Sequence, residues 1–148
     1  MKLIHIKPSP DTGLLVIRLM LAVVFVFHGS QKLFGVFGGY GIEGTATFFE
    51  QIGMPFPTAS VVLAGGTELI GGLLLGLGLL ARPAAFALAM TMFVAAFSAH
   101  SGFNSQSGGM EYPLTLAVVS FALAVSGPGR IALSNPTTSS ARSGALAH

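Results

Sequence analysis

Four long apolar runs dominate this sequence and limit what it can fold into. They span residues 13–36, 58–81, 83–100 and 111–129. Each has roughly 18–24 residues, which at ~1.5 Å per residue is enough to cross a hydrocarbon core of ~30 Å as a helix. A backbone in lipid must satisfy its own hydrogen bonds, so each run is predicted to be helical. The predicted fold class is therefore all-α, an integral membrane four-helix bundle.

The composition excludes the main alternatives to a membrane protein. Apolar residues make up 52% of the chain and charged residues 8%, with a mean hydropathy of +0.78. A soluble domain carries about 25% charged residues, and a disordered chain carries little apolar surface. The 7 Lys and Arg residues outnumber the 5 acidic ones by two and form no cluster, which excludes nucleic-acid binding. Because cysteine is absent, disulfides, thiolate metal sites and thiol redox chemistry are excluded.

Charges near the ends of the runs predict the orientation, because basic residues accumulate on the cytoplasmic side of a membrane. Five basic residues fall at one end of the predicted bundle: Lys2, Lys7, Arg82, Arg130 and Arg142. The opposite end combines Lys32 with three carboxylates, those of Glu43, Glu50 and Glu111. Both termini are therefore predicted to be cytoplasmic, with the loops 37–57 and 101–110 outside.

The segments outside the four runs have different predicted characters. Residues 1–12 form a cytoplasmic N-terminal segment, 13–130 the membrane domain and 131–148 a disordered cytoplasmic tail of small and polar residues. In the first outer loop, Phe48 and Phe49 lie beside charged and amide residues. This pattern predicts a short interfacial helix that lies on the membrane surface or caps the bundle. A packed loop whose aromatic side chains anchor at the headgroups is the alternative.

Ionisable residues within the runs lie at similar predicted depths. Charges inside a span are costly and normally face the bundle interior with a partner. Measured from the cytoplasmic boundary at ~1.5 Å per residue, Arg18 lies at only ~9 Å. At the same rise per residue, a second group lies at ~20–30 Å. It consists of His28, Lys32, Glu68, His100 and Glu111. We therefore expect one polar layer near the outer mouth of the bundle, to which each helix contributes.

Helical spacing predicts that this layer faces the interior. His28 and Lys32 are four residues apart and share a helix face. Glu68 shares a stripe with small residues, among them Gly72 and Gly76, and such stripes allow close approach of a neighbouring helix. Arg18 is expected to take part in structural ion pairing or to reach the inner surface with its long side chain.

Three kinds of functional site are compatible with the polar layer. A quinone or quinol could lie between the helices, with an imidazole bonding its carbonyl oxygen and a carboxylate exchanging the proton. A proton relay without a cofactor is the second hypothesis. A metal bound by two imidazoles and two carboxylates is the third and weakest, because no HxxH, HExxH or ExxH spacing occurs. Against all three stands a purely structural His–Glu–Lys network.

Several motifs together resemble the DoxX family of bacterial inner-membrane proteins. They are RLMLAVVFVFHGSQKLFG, F-x-x-x-G-M-P, AGGTELIGGLLLGLGLLARPAA, the AxxxH that ends the third run, E-Y-P and GPGR. The similarity extends from about Gly13 to Arg130. It implies a four-helix, multi-pass protein of the inner membrane. It also places recurrent polar positions of the family at Arg18, His28, Gln31, Lys32, Glu68, His100, Glu111 and Tyr112.

The resemblance also implies a type of activity. The family is named after a subunit of an archaeal thiosulfate:quinone oxidoreductase, and relatives are linked to thiol or oxidative stress. Our sequence shows no flavin motif, haem-ligating pair or cysteine, so a soluble redox partner would have to carry the electrons. We expect a quinone-linked, ligand-binding or proton-handling membrane subunit in thiol, sulfur or oxidative-stress metabolism. The alternatives are a non-catalytic scaffold or assembly factor, and a transporter, which would require a homo-oligomer.

Overall fold

The computed structural model describes residues 9–133, which contain α-helices joined by turns and loops and no strand. Residues 1–8 of the predicted N-terminal segment and residues 134–148 of the predicted tail lie outside the described residues. Within residues 9–133, five α-helices follow one another, with a short 3-10 turn at Ser105–Ser107. They are α1 (Pro10–Phe34), α2 (Gly41–Gln51), α3 (Pro57–Leu77), α4 (Ala81–Ser98) and α5 (Glu111–Ser126).

Local sequence signals explain where the helices begin and end. The Ser9 side chain accepts a hydrogen bond from the backbone N–H of Thr12, and Pro10 occupies the first turn, so α1 begins before the predicted residue 13. α1 is terminated by Gly35 and α3 by Gly78, the residues just after their last turns, which adopt left-handed backbone conformations with φ of 68° and 71°. α5 ends at Ser126 rather than at residue 129, because Gly127 leaves the helical conformation and a proline follows.

Three helices, α1, α3 and α4, are long and apolar enough to cross a membrane. α5 is also apolar but has only 16 residues. Large apolar side chains point outward from all four, and Val23, Leu63, Phe97 and Val125 are examples of them. Such an apolar exterior suits lipid and would be unfavourable in water. The chain is therefore a membrane protein of α-helices, as the apolar runs predicted.

α1 packs against α3 through glycines, which confirms the predicted small-residue face. A Cβ atom on Gly29 of α1 would lie 2.6 Å from the backbone nitrogen of Leu69 in α3. Likewise, a Cβ on Gly76 of α3 would lie 2.9 Å from the Cβ of Ala22. The two backbones thus approach as closely as the absence of side chains permits.

The remaining helices complete the packing around a single core. α4 packs along α5, and α3 meets α4 where Gly71 lies against Leu88. α2 packs across the ends of α1 and α3. The core contains Leu21 and Phe25 from α1, with Leu75, Leu88 and Leu116 from the other helices. This arrangement leaves a space under α2, between the α1–α3 pair and the α4–α5 pair.

Candidate functional site

An ion pair joins α1 to α3 near the α2 end of the molecule. The Lys32 ammonium lies 2.7 Å from Oε2 and 3.0 Å from Oε1 of Glu68, so it donates to both carboxylate oxygens. The Glu68 side chain is 1% exposed and the Lys32 side chain 24%. Gly65 makes the approach possible, because a Cβ there would lie 3.2 Å from the Cβ of Lys32. The carboxylate is therefore buried, and its partner reaches it from the partly exposed end of α1.

A cavity of about 510 Å³ lies beside this ion pair and receives side chains from all five helices. Most of its wall is apolar, including Phe25, Phe48 and Leu116. Its polar and ionisable lining residues are His28, Lys32, Ser60, Glu68, Thr91, Ser98, His100 and Tyr112. A mostly apolar space with a few converging polar groups is typical of a small-molecule site, and about 300–1,000 Å³ is the usual size.

The serine and threonine hydroxyls of this wall already donate to backbone carbonyl oxygens, and Ser60 donates to that of Pro55, just before α3. Thr91 donates to the carbonyl of Ala87, and Ser98 to that of Val94. Such bonds turn a polar side chain toward its own backbone. The groups best suited to meet a ligand are therefore the ion pair, the two imidazoles and the phenol.

The rings of His28 and Tyr112 contact each other in the cavity wall. Their ring centroids are 6.3 Å apart, with an interplanar angle of 58°. Phe27 contacts the imidazole of His28 edge-on, at a centroid distance of 5.5 Å. The cavity thus brings together an imidazole from α1 and a phenol from the first turn of α5.

His100 lies just beyond the end of α4, and its orientation is fixed by one hydrogen bond. Nδ1 lies 2.9 Å from the carbonyl oxygen of Ala95. Because a carbonyl oxygen only accepts, Nδ1 carries the proton and donates it. In a neutral ring, Nε2 is then left as the acceptor.

Gln31 lies outside the main cavity and belongs to a smaller one of about 200 Å³. Its amide donates to the carbonyl oxygen of Phe37, at 3.0 Å, and so holds the loop that follows α1. His28, Lys32, Phe48 and Phe49 line both cavities. These four side chains therefore form the partition between the two spaces.

The expectation for Glu111 is corrected by its surroundings. Its carboxylate accepts hydrogen bonds from the backbone and the hydroxyl of Ser105, at 3.2 and 3.0 Å, and does not line the cavity. Glu111 is exposed and fastens the 3-10 turn to the start of α5. The predicted depth of Glu111 along its helix is similar to that of the other polar residues, but its side chain points away from the cavity.

Arg18 also differs from its prediction. It is buried, with 1% exposure, near the other end of the molecule. Within residues 9–133, its hydrogen bonds go to backbone carbonyl oxygens of α3 and of the segment after α5, rather than to a carboxylate. In the same segment, the backbone N–H of Leu133 donates to the carbonyl oxygen of Leu77, with 3.3 Å between nitrogen and oxygen. Residues 131–133 of the predicted disordered tail are therefore part of the fold.

Several cavity residues were not identified from the sequence. α2 contributes Phe48 and Phe49, and the following loop contributes Met54. Thr45, buried on α2, lines the smaller cavity. The adjacent aromatic residues of α2 were a signal for a cap over the bundle, but nothing local indicated what the helix covers. In the described part of the chain, no three His, Asp or Glu side chains are grouped closely enough to hold a metal ion.

These features define a class: an α-helical membrane protein with a buried ion pair at the wall of an internal cavity. The chain belongs to the DoxX family, whose profile matches residues 13–101. No solved structure matches the chain significantly.

Two named relatives and one uncharacterised membrane protein align with most of the chain. "Putative oxidoreductase CatD" of Bacillus subtilis (strain 168) is 33% identical over 125 residues, covering 84% of this chain and 87% of the relative. "Inner membrane protein YqjF" of Escherichia coli (strain K12) is 31% identical over 126 residues, covering 83% and 90%. "Uncharacterized membrane protein Rv3486" of Mycobacterium tuberculosis (strain ATCC 25618 / H37Rv) is 31% identical over 144 residues, covering 89% and 84%.

Proposed function

We propose that this protein is the ligand-binding membrane subunit of a quinone-linked redox system, and that the 510 Å³ cavity holds the quinone headgroup. The observation that carries the proposal is the position of the Lys32–Glu68 pair, buried at the wall of an otherwise apolar space. A quinone headgroup has the matching character, a flat apolar ring with two carbonyl oxygens at its edge. The name of the Bacillus relative, "Putative oxidoreductase CatD", also supports a redox role.

The residues present fit such a headgroup. The Lys32 ammonium has three donor hydrogens, of which two serve Glu68, so a donor is left for a carbonyl oxygen. The phenol of Tyr112 can donate to the second oxygen, and the imidazole of His28 faces the same space. Glu68 is the group that would hold and exchange a proton. When bound, a quinone supplies two-electron redox chemistry coupled to two protons.

Electrons must come from elsewhere, since the chain has no cysteine and no motif for flavin or haem. We propose a soluble redox protein as the partner, with thiol, sulfur or oxidative-stress metabolism as the context. The chain's own contribution is then to bind the ring, orient it, and exchange protons through Glu68 and Lys32. A proton-handling role of these residues without a bound quinone is the simpler form of the same proposal.

The membrane arrangement forms part of this proposal. We infer that α5 crosses the membrane together with α1, α3 and α4, because it is apolar and packs along α4. Arg82 and Arg130, near the end opposite α2, support cytoplasmic termini in a bacterial inner membrane. α2 would then lie at the outer surface, over the cavity.

Filling the cavity tests the proposal. Purified protein in lipid nanodiscs is melted with and without decylubiquinone, because a ligand that binds the folded state raises Tm. Ala95→Phe places a ring in the cavity, whereas Ala87→Phe adds the same ring to an exposed position of the same helix. We expect a quinone-dependent rise in Tm for the parent and Ala87→Phe, and none for Ala95→Phe. If decylubiquinone and a menaquinone analogue both leave the Tm of the parent unchanged, the proposal is wrong.

A scaffold role is the second candidate, and one observation favours it. The Lys32–Glu68 pair is complete without a ligand, as in a structural crosslink between α1 and α3. This candidate predicts that Ala95→Phe preserves function in cells. It also predicts that Gly76→Leu, which separates α1 from α3, abolishes function.

A further inference from the structure

The space between α3 and α4 widens toward the α2 end of the molecule. The two helices join through a short turn at 78–80 and still touch at Gly71, where a Cβ would lie 3.1 Å from Cγ of Leu88. Beyond that contact, toward the start of α3 and the end of α4, the cavity lies between them. Leu63 and Ala64 line it from α3, and Met90 and Val94 line it from α4.

Some of these lining residues also belong to the outer surface. Leu63 is 72% exposed, Val94 is 51% exposed and Met90 is 48% exposed. All three are apolar and lie on helices long enough to span a membrane. The cavity wall is therefore continuous with the apolar exterior, which makes the opening a lateral one that faces lipid.

The position of the ion pair relates this opening to the candidate site. Leu63 and Glu68 are five residues apart, about 7.5 Å along α3 at ~1.5 Å per residue. Phe48 and Phe49 of α2 close the cavity at its end with aromatic rings. A molecule whose polar head contacts Glu68 could thus extend an apolar tail sideways past Leu63.

We propose that the gap between α3 and α4 is an entrance that admits an aliphatic chain from the bilayer. The ligand is then an amphiphile drawn from the membrane, whose tail stays in lipid while its head reaches the ion pair. The identity of the head rests on the proposed function, but the lateral entrance does not.

The chain contains no tryptophan, so one introduced indole reports a single position. Leu116 and Leu123 lie seven residues apart on α5 and are both buried in the core, but only Leu116 lines the cavity. Leu116→Trp and Leu123→Trp are reconstituted separately into vesicles of phosphatidylcholine brominated on its acyl chains. Bromine quenches an indole that it contacts. We expect at least twofold stronger quenching at position 116 than at position 123, and little quenching of either by aqueous iodide.

Equal quenching at the two positions by brominated chains would overturn the proposal, and so would quenching at position 116 by iodide alone. If Leu116→Trp does not fold, Phe25→Trp replaces it, with Leu21→Trp as its buried control outside the cavity. No quinone is present, so the two proposals fail separately. Bromine quenching without quinone binding contradicts only the proposed function, and quinone binding without bromine quenching contradicts only the lateral entrance.

Discussion

Arg18 of α1 donates a hydrogen bond from Nε to the carbonyl oxygen of Leu75, 3.0 Å away in the last turn of α3. Carbonyl oxygens in a final turn have no partner within their own helix, and this helix end carries partial negative charge. Nη2 reaches the carbonyl of Gly76, and Nη1 those of Pro128 and Ile131. One guanidinium therefore caps α3 and fastens the segment after α5 to it.

Replacing this side chain should destabilise the fold strongly. Arg18→Met keeps a long apolar stem but leaves buried carbonyl oxygens without donors, and we expect a loss of about 3 kcal/mol in the free energy of unfolding. Arg18→Lys should recover only part of it, because an ammonium cannot match the fork of a guanidinium. Thermal and denaturant unfolding in detergent micelles measure the loss. Arg82→Met, at an exposed position, is the control, and an equal loss in both variants would contradict the capping role.

The sequence could predict that Arg18 lies on a helix near the inner end of the bundle, but not what it contacts. Its partners lie 57 to 113 residues away and are backbone carbonyl groups. Because every residue has such a group, the residue type does not indicate which one accepts a hydrogen bond. The helices themselves were easier to predict, because the four apolar runs are local signals. The caps were overlooked, so the predicted start of α1 at residue 13 came after the cap at Ser9, and the predicted ends at residues 36 and 129 came after the caps at Gly35 and Gly127.

Close packing of α1 on α3 predicts a sharp contrast between two glycines. Gly29→Ala places a methyl group 2.6 Å from the Leu69 backbone nitrogen, so the helices must separate. Gly66→Ala meets nothing within 4 Å. We expect Gly29→Ala to lower the free energy of unfolding by about 1–3 kcal/mol. Gly66→Ala should be neutral or slightly stabilising, since alanine favours helix. Thermal melts of both variants in the same detergent test this difference, and similar Tm values would contradict the close contact at Gly29.

Two adjacent residues at the start of α5 provide a test of the candidate site and a matched control outside it. Tyr112 lines the cavity, whereas Glu111 bonds the 3-10 turn. Losing one hydrogen bond of ~1 kcal/mol should weaken quinone binding about 5-fold in Tyr112→Phe. Glu111→Gln should bind decylubiquinone as the parent does. Binding isotherms in nanodiscs test the pair, and an unchanged Kd in Tyr112→Phe would remove the phenol from the proposed site.

The same two residues explain what sequence reasoning could resolve in the site. The depth of a residue along its helix follows from counting residues. This counting predicts similar depths for four residues: His28, Lys32, Glu68 and His100. The direction of a side chain around the bundle depends on how helices rotate against each other, and counting does not provide it. Glu111 has the right depth and the wrong direction. The partnership of Lys32 with Glu68 was predictable because a buried carboxylate needs a cation nearby.

The unequal burial of Lys32 and Glu68 predicts an asymmetric double-mutant cycle. Lys32→Met leaves a carboxyl group buried without its partner, which should reduce the free energy of unfolding by about 3 kcal/mol. Glu68→Leu leaves a lysine that is 24% exposed and can turn toward water, so its loss should be smaller. The double variant Lys32→Met/Glu68→Leu, with two apolar side chains in contact, should recover at least half of the loss seen in Lys32→Met. Denaturant unfolding of the four proteins in micelles gives the coupling energy. Additive losses would mean that the two side chains do not interact, and the buried pair would no longer support a site at this wall.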